Sequence, residues 1–133
     1  MNSAGTRITG GSTSLALTNN GATFANAAGA PVVVTGVANG QTTFDAVNYG
    51  QLKSVEKIAS RGVASATALA NIGQVGEGKA FSVGAGVGNY NGETSIAIGA
   101  SARVGSGVVK ASVGTSTGSG SKAAFGVGGA WSF

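Results

Sequence analysis

The stretch Ala123-Ala124-Phe125-Gly126-Val127-Gly128-Gly129-Ala130-Trp131-Ser132-Phe133 separates cleanly at period two. Its odd positions carry Ala123, Phe125, Val127, Gly129, Trp131 and Phe133, while Ala124, Gly126, Gly128, Ala130 and Ser132 fill the even ones. Successive side chains of a strand point to opposite faces. One face is therefore large and apolar, and the other is uniformly small. A soluble half-buried strand alternates apolar with polar or charged residues. Here the second face is Gly, Ala and Ser, and glycine weakens a strand interior unless something approaches it closely.

Three segments upstream share the design. In Phe81–Asn89, Phe81, Val83, Ala85, Val87 and Asn89 oppose Ser82, Gly84, Gly86 and Gly88. In Ser95–Ala102, Ile96, Ile98, Ala100 and Ala102 oppose Ser95, Ala97, Gly99 and Ser101. In Val109–Thr115, Val109, Ala111, Val113 and Thr115 oppose Lys110, Ser112 and Gly114. The turn signals between them are Asn91-Gly92, Gly105-Ser106-Gly107 and Gly118-Ser119-Gly120. Each segment has about the length of a membrane strand, roughly 9–11 residues. Lys79, Glu93, Arg103 and Lys122 fall near the ends, and Lys110 alone lies well inside, on the small face. That face tolerates a charge in a membrane barrel. The reading is four membrane strands per chain, with Phe81, Val83, Ile96, Ile98, Val109, Val113, Phe125, Val127 and Trp131 facing lipid. Four strands cannot close a barrel, and open edges cannot face lipid. The smallest membrane barrels have about eight strands, so several copies must combine, and three copies would give about twelve.

Composition agrees. Of 133 residues, 9% are charged, 42% are hydrophobic and 25 are glycine. A soluble domain carries about a quarter charged residues. Disorder goes with low hydropathy and high net charge, but the mean hydropathy here is +0.25. The net charge of +4 comes from scattered Lys and Arg, so no nucleic-acid partner is expected. Cysteine and histidine are absent, which removes thiolate chemistry and the commonest general base. The Gly-x-Gly strings lack the helix and acidic ligand of a dinucleotide site. Neither an enzyme nor a cofactor is expected. No apolar run reaches the ~18 residues of a membrane helix. The opening Met1-Asn2-Ser3-Ala4-Gly5 does not resemble a signal peptide, so an exported protein is expected to extend beyond this chain.

Residues 1–43 are rich in Gly, Thr, Ser, Ala and Asn. Strands are expected at Thr13–Thr18, Ala22–Ala25 and Val32–Thr35, with Asn20-Gly21 as a hairpin turn. So few large side chains suggest a sheet that needs partner chains. Residues 44–75 read as a helix from Phe44 to Ile72, capped by Asp45 or Thr43. Val55, Ile58, Gly62, Ser65, Leu69 and Ile72 follow the 3-4 spacing of a coiled coil. Small residues at its middle allow close packing. Such a helix would be about 40 Å long at ~1.5 Å per residue, enough to cross a bilayer core.

Val37-Ala38-Asn39-Gly40, Asp45-Ala46-Val47-Asn48 and Gln51-Leu52 together resemble the neck motif of trimeric autotransporter adhesins. Gly62-Val63-Ala64-Ser65-Ala66-Thr67-Ala68-Leu69 resembles the lumenal helix of that family's YadA-like C-terminal anchor. The family's small run, commonly Ala-Ser-Ser-Ala, stands here as Ala64-Ser65-Ala66-Thr67. Gly78-Lys79, Ala97-Ile98-Gly99 and terminal Phe133 also fit the family's strand pattern.

The resemblance implies a division into a β-rich stalk or head-connector module (1–33), a neck (34–52), a coiled-coil and lumenal helix (53–75) and a four-stranded membrane anchor (76–133). The implied fold class is mixed. A twelve-stranded transmembrane β-barrel, four strands per chain in a homotrimer, would hold three lumenal coiled-coil helices and follow a small all-β trimeric stalk and neck. Asp45, Asn48, Gln51 and Leu52 would be neck residues, the polar three bonding across chains. Gly62, Ala64, Ser65, Ala66 and Thr67 would form the small-residue export segment, and Phe133 the outer-membrane sorting signal. The implied role is anchor and translocator of an adhesin in the bacterial outer membrane and at the cell surface (type V secretion). Its partners would be outer-membrane lipid, the barrel-assembly machinery through the C-terminal strand, and a host or matrix ligand held by a head domain outside this chain. The competing class is a soluble trimeric stalk or fibre. A plain porin is a third, against which a filled pore would count.

Overall fold

A computed structural model describes residues 5–132, so the sorting signal expected at Phe133 lies outside the described residues. The chain divides into two compact units at the Asn48–Tyr49 bond.

The first unit is a meander of β1 (Thr6–Gly10), β2 (Thr13–Thr18) and β3 (Gly21–Asn26), antiparallel in that order. The turn between β2 and β3 is Asn19-Asn20, one residue earlier than expected. Gly21 opens β3 and carries the positive φ, 117°. Ile8, Leu17 and Phe24 stay exposed, and the buried positions are Ser14 and Ala25. No strand forms at Val32–Thr35. Its β-branched residues have the propensity but no partner strand, and propensity without cross-strand packing does not make a strand. Just before this segment, Pro31 makes an isolated bridge to Ala25. The Asn26 side chain helps to shape this exit, its Oδ1 accepting from the amides of Ala28 and Ala30 at 3.0 and 2.9 Å.

The second unit packs a helix on a sheet. Helix α1 spans Tyr49–Ala70, five residues shorter at its start than the expected Phe44. Asp45 does not cap it: its carboxylate closes a turn on Gln41 and Thr42 instead. The sheet is β4 (Phe81–Tyr90), β5 (Glu93–Val104), β6 (Gly107–Ser116) and β7 (Ala123–Trp131), antiparallel and in sequence order. Asn91 and Gly92 both have positive φ, 49° and 77°, the geometry of a two-residue hairpin whose twist suits the strands.

The pairing register places small residues beside small ones. Gly84 faces Gly99, which faces Ser112, which faces Gly126. Val83, Ala100, Ala111 and Val127 form a row of the opposite face, and Ala85, Ile98, Val113 and Phe125 form the next. A one-residue slip would mix the two faces. Helix α1 covers the small face, and the hydrophobic core is Ala68, Ile72 and Ala97 with Leu69 against it. No helix among the described residues is long and apolar enough to cross a membrane, which leaves strand crossing untouched.

Candidate functional site

The helix and the small face of the sheet meet at backbone distance. A Cβ at Gly86 would collide with the Ala68 carbonyl oxygen, and one at Gly88 with the Ala64 carbonyl oxygen. A Cβ at Gly84 would lie 3.3 Å from the Ile72 side chain. Gly86 and Gly88 of β4 are thus glycine because α1 occupies the space that their side chains would fill, and Gly84 lies under Ile72 just past the helix end. On the helix side the matching residues are also small. Ser60, Ala64, Ser65 and Ala68 are its buried positions.

The expected export segment therefore splits. Ala64 and Ser65 are buried against the sheet, whereas Gly62, Ala66 and Thr67 are exposed within the chain. The Ser65 and Ser95 hydroxyls lie 3.0 Å apart in the buried interface, and the Thr67 hydroxyl donates to the Val63 carbonyl at 3.0 Å. The expected coiled-coil seam splits likewise. Ser65 and Ile72 are buried, but Val55 and Ile58 remain open. Burial follows a second stripe one residue over, Ser60-Ala64-Ala68, at helical i, i+4 spacing.

Lys110 supplies what the helix lacks. The last turn of α1 contains no basic residue, yet its carbonyls carry the negative end of the helix dipole. The Lys110 ammonium, projecting from β6 on the small face, donates to the Ile72 carbonyl at 2.6 Å and to Leu69 at 3.3 Å. Ser101 accepts from the Val75 amide at 2.7 Å and lies 2.9 Å from the Ser82 hydroxyl. No buried side-chain N or O among the described residues lacks a partner.

Near the middle of α1, the Arg61 Nε donates to Glu93 Oε2 at 2.7 Å and its Nη1 donates to the Ser119 carbonyl at 2.6 Å. Sequence reading passed over Arg61, Glu93 and Lys110 as site residues. The parity of Lys110 was the one available signal; Arg61 and Glu93 stand 32 residues apart with no local mark of their pairing.

The open face of the sheet carries the residues assigned to lipid. Phe81, Val83, Ile96, Ile98, Val113, Phe125, Val127 and Trp131 are exposed large hydrophobics, with Phe125 and Val127 at 86% and 83%. Val109 is half-buried. Exposed apolar patches of this extent mark surfaces made for something other than water.

The neck residues form two separate sets of contacts. Asp45 Oδ2 accepts from the amides of Gln41 and Thr42 at 2.8 and 2.9 Å, and Oδ1 accepts from the Thr42 hydroxyl at 2.9 Å. These donors, Gln41 first, hold its carboxyl below the ordinary 3.8. Asn48 Nδ2 donates to the Val37 carbonyl at 3.1 Å and to Asn39 Oδ1 at 2.7 Å. Gly40 fits beneath Asp45 and Ala46, since a Cβ there would lie 2.8 Å from the Ala46 carbonyl. Gln51 and Leu52 lie in the first turn of α1, with Leu52 exposed.

The family model of the YadA-like membrane anchor domain matches residues 73–133. No curated protein matches the chain. The family match places the chain in the outer membrane and implies a homotrimer.

Proposed function

Because residues 73–133 are a YadA-like membrane anchor domain, the anchor of trimeric autotransporters, we propose that three copies close one barrel and export and tether an adhesive passenger through it. Each chain would give β4–β7, about twelve strands in all, with three α1 helices in the pore. The passenger would lie N-terminal to the neck and leave along the route of α1 (type V secretion). Its head would bind the host or matrix ligand. The C-terminal strand would engage the barrel-assembly machinery, and the open face would contact lipid.

The observation that carries this reading is the pairing of two opposite demands on one sheet. The open face exposes Phe81, Val83, Ile98, Phe125 and Val127, and the other is stripped to glycine, alanine and serine where α1 lies. Strands β4 and β7 each have one neighbour in the sheet. Unpaired edges are untenable in lipid, and β7 of one copy against β4 of the next would remove both. Val55 and Ile58, exposed in the single chain, would then meet the helices of the other copies.

Detergent extracts of membranes carrying the chain, run unheated and boiled, test this. A band near three times the 12.6 kDa chain that collapses on boiling is expected. A monomer soluble without detergent would refute the proposal and favour a stalk or fibre domain.

A further inference from the structure

One polar cluster binds the helix to two different loops of the sheet. The Arg61 side chain reaches Glu93, the first residue of β5, and the Ser119 carbonyl in the loop between β6 and β7. Gly118 makes room for it, because a Cβ there would collide with the guanidinium. Lys57 stands 3.7 Å from Glu93, and the Asn91 amide donates to the Ser60 hydroxyl at 3.1 Å. The Arg61 and Glu93 side chains are only 12% and 19% exposed. A half-buried, charge-assisted pair of this kind differs from a surface ion pair, because either member left alone keeps its desolvation cost.

The geometry fixes depth as well as contact. Arg61 can meet Glu93 and Ser119 only when residue 61 is level with the ends of those strands. One helical turn below it, Ser65 meets Ser95. A slide of α1 by one turn, about 5.4 Å, would break both contacts and strand a half-buried guanidinium. Between this cluster and the Lys110 contact with the Leu69 and Ile72 carbonyls, the interface is small and smooth: Ala64 and Ala68 against Gly86 and Gly88. Such a surface resists sliding poorly, so axial position is decided by the polar contacts on either side of it, of which the Arg61 cluster is the one that reaches Glu93 and Ser119.

We propose that Arg61 is a positioning residue that stops the exported chain at one depth. On this reading, which rests on the translocator role proposed above, the pair with Glu93 forms only once everything N-terminal has passed. The two loops then close around the helix at the end from which the passenger leaves.

The chain has no cysteine, so Ser65→Cys with Ser95→Cys gives a clean reporter of register across hydroxyls now 3.0 Å apart. The rate of cross-linking is measured in outer membranes under mild oxidation, alongside the heat-modifiable band. Arg61→Gln and Glu93→Gln should each slow cross-linking roughly tenfold, and the double variant should be no slower than either, as for one shared interaction. Cross-linking at the parental rate in the single variants overturns the proposal. So does a double variant slowed by the product of the two, which would mean independent packing effects. Should Arg61→Gln not assemble, Glu93→Gln, which preserves volume, decides alone by the same rate. Loss of the heat-modifiable band in the parent would sink the anchor reading itself; failure of the stop leaves that band intact.

Discussion

Strands β4 and β7 carry the same alternation of large and small residues, yet the chain treats their small faces differently. On β4, side chains at Gly86 and Gly88 would strike the helix backbone, and at Gly84 the Ile72 side chain. On β7, a Cβ at Gly128 would meet nothing, and one at Gly126 only the Ser112 hydroxyl at 3.8 Å. One strand is small because its own helix needs the room. The other is small with no such reason inside the chain, and the proposed trimer supplies one: α1 of a neighbouring copy. In that trimer the pattern of β7 would be dictated by a contact that a single chain does not contain.

Four measurements break or sharpen this contrast. The largest effect is expected from Gly88→Val, which drives a side chain into the Ala64 carbonyl. Overpacking of this kind costs about 1–3 kcal/mol or more per chain, and the heat-modifiable band should vanish. Gly128→Val in β7 comes next. It should leave the contacts within one chain untouched and still lower the temperature at which the band collapses. An unchanged temperature would mean that nothing covers β7. Lys110→Met should weaken the helix end by about 1 kcal/mol through loss of its dipole partner, read as a smaller drop in the same temperature. The mildest effect belongs to the Asp45 turn. Its carboxyl is held below the ordinary 3.8 when folded, so its stabilisation is complete above the unfolded value and fades as pH falls through the lower folded one. Protection of the Gln41 and Thr42 amides from exchange, taken relative to the intrinsic rate at each pH, should fall only below about pH 4, and Asp45→Asn should remove that dependence.

The four anchor strands were legible because each residue obeys one rule. Period two, a glycine-bearing turn and a repeat length suffice to place β4–β7 within two residues of their observed starts. Asn91-Gly92 was legible for the same local reason, whereas at Asn19-Asn20 the positive φ falls after the turn, on Gly21. Val32–Thr35 misled because strand propensity is realised only against a partner. The helix start was misplaced because Asp45 spends its oxygens on the preceding turn. The buried stripe of α1 was hidden for a subtler reason. Its residues are Ser60, Ala64 and Ala68, so close approach replaces hydrophobic bulk and leaves no apolar period to read. Lys110 meets carbonyls 38 and 41 residues away, and Arg61 meets Glu93 across 32. Such meetings depend on tertiary register, which no local pattern encodes.

Trp131 offers a last consequence. It pairs across the sheet with Gly107, and its indole lies so close over Gly107 and Gly129 that neither could carry a Cβ. It is also the chain's one tryptophan. The chain thus holds a single indole, excited apart from its two tyrosines at the red edge of absorption, laid against two glycines at the open face. Its emission colour and its quenching by brominated acyl chains would follow that face as it leaves water, giving an optical clock for insertion without any added label.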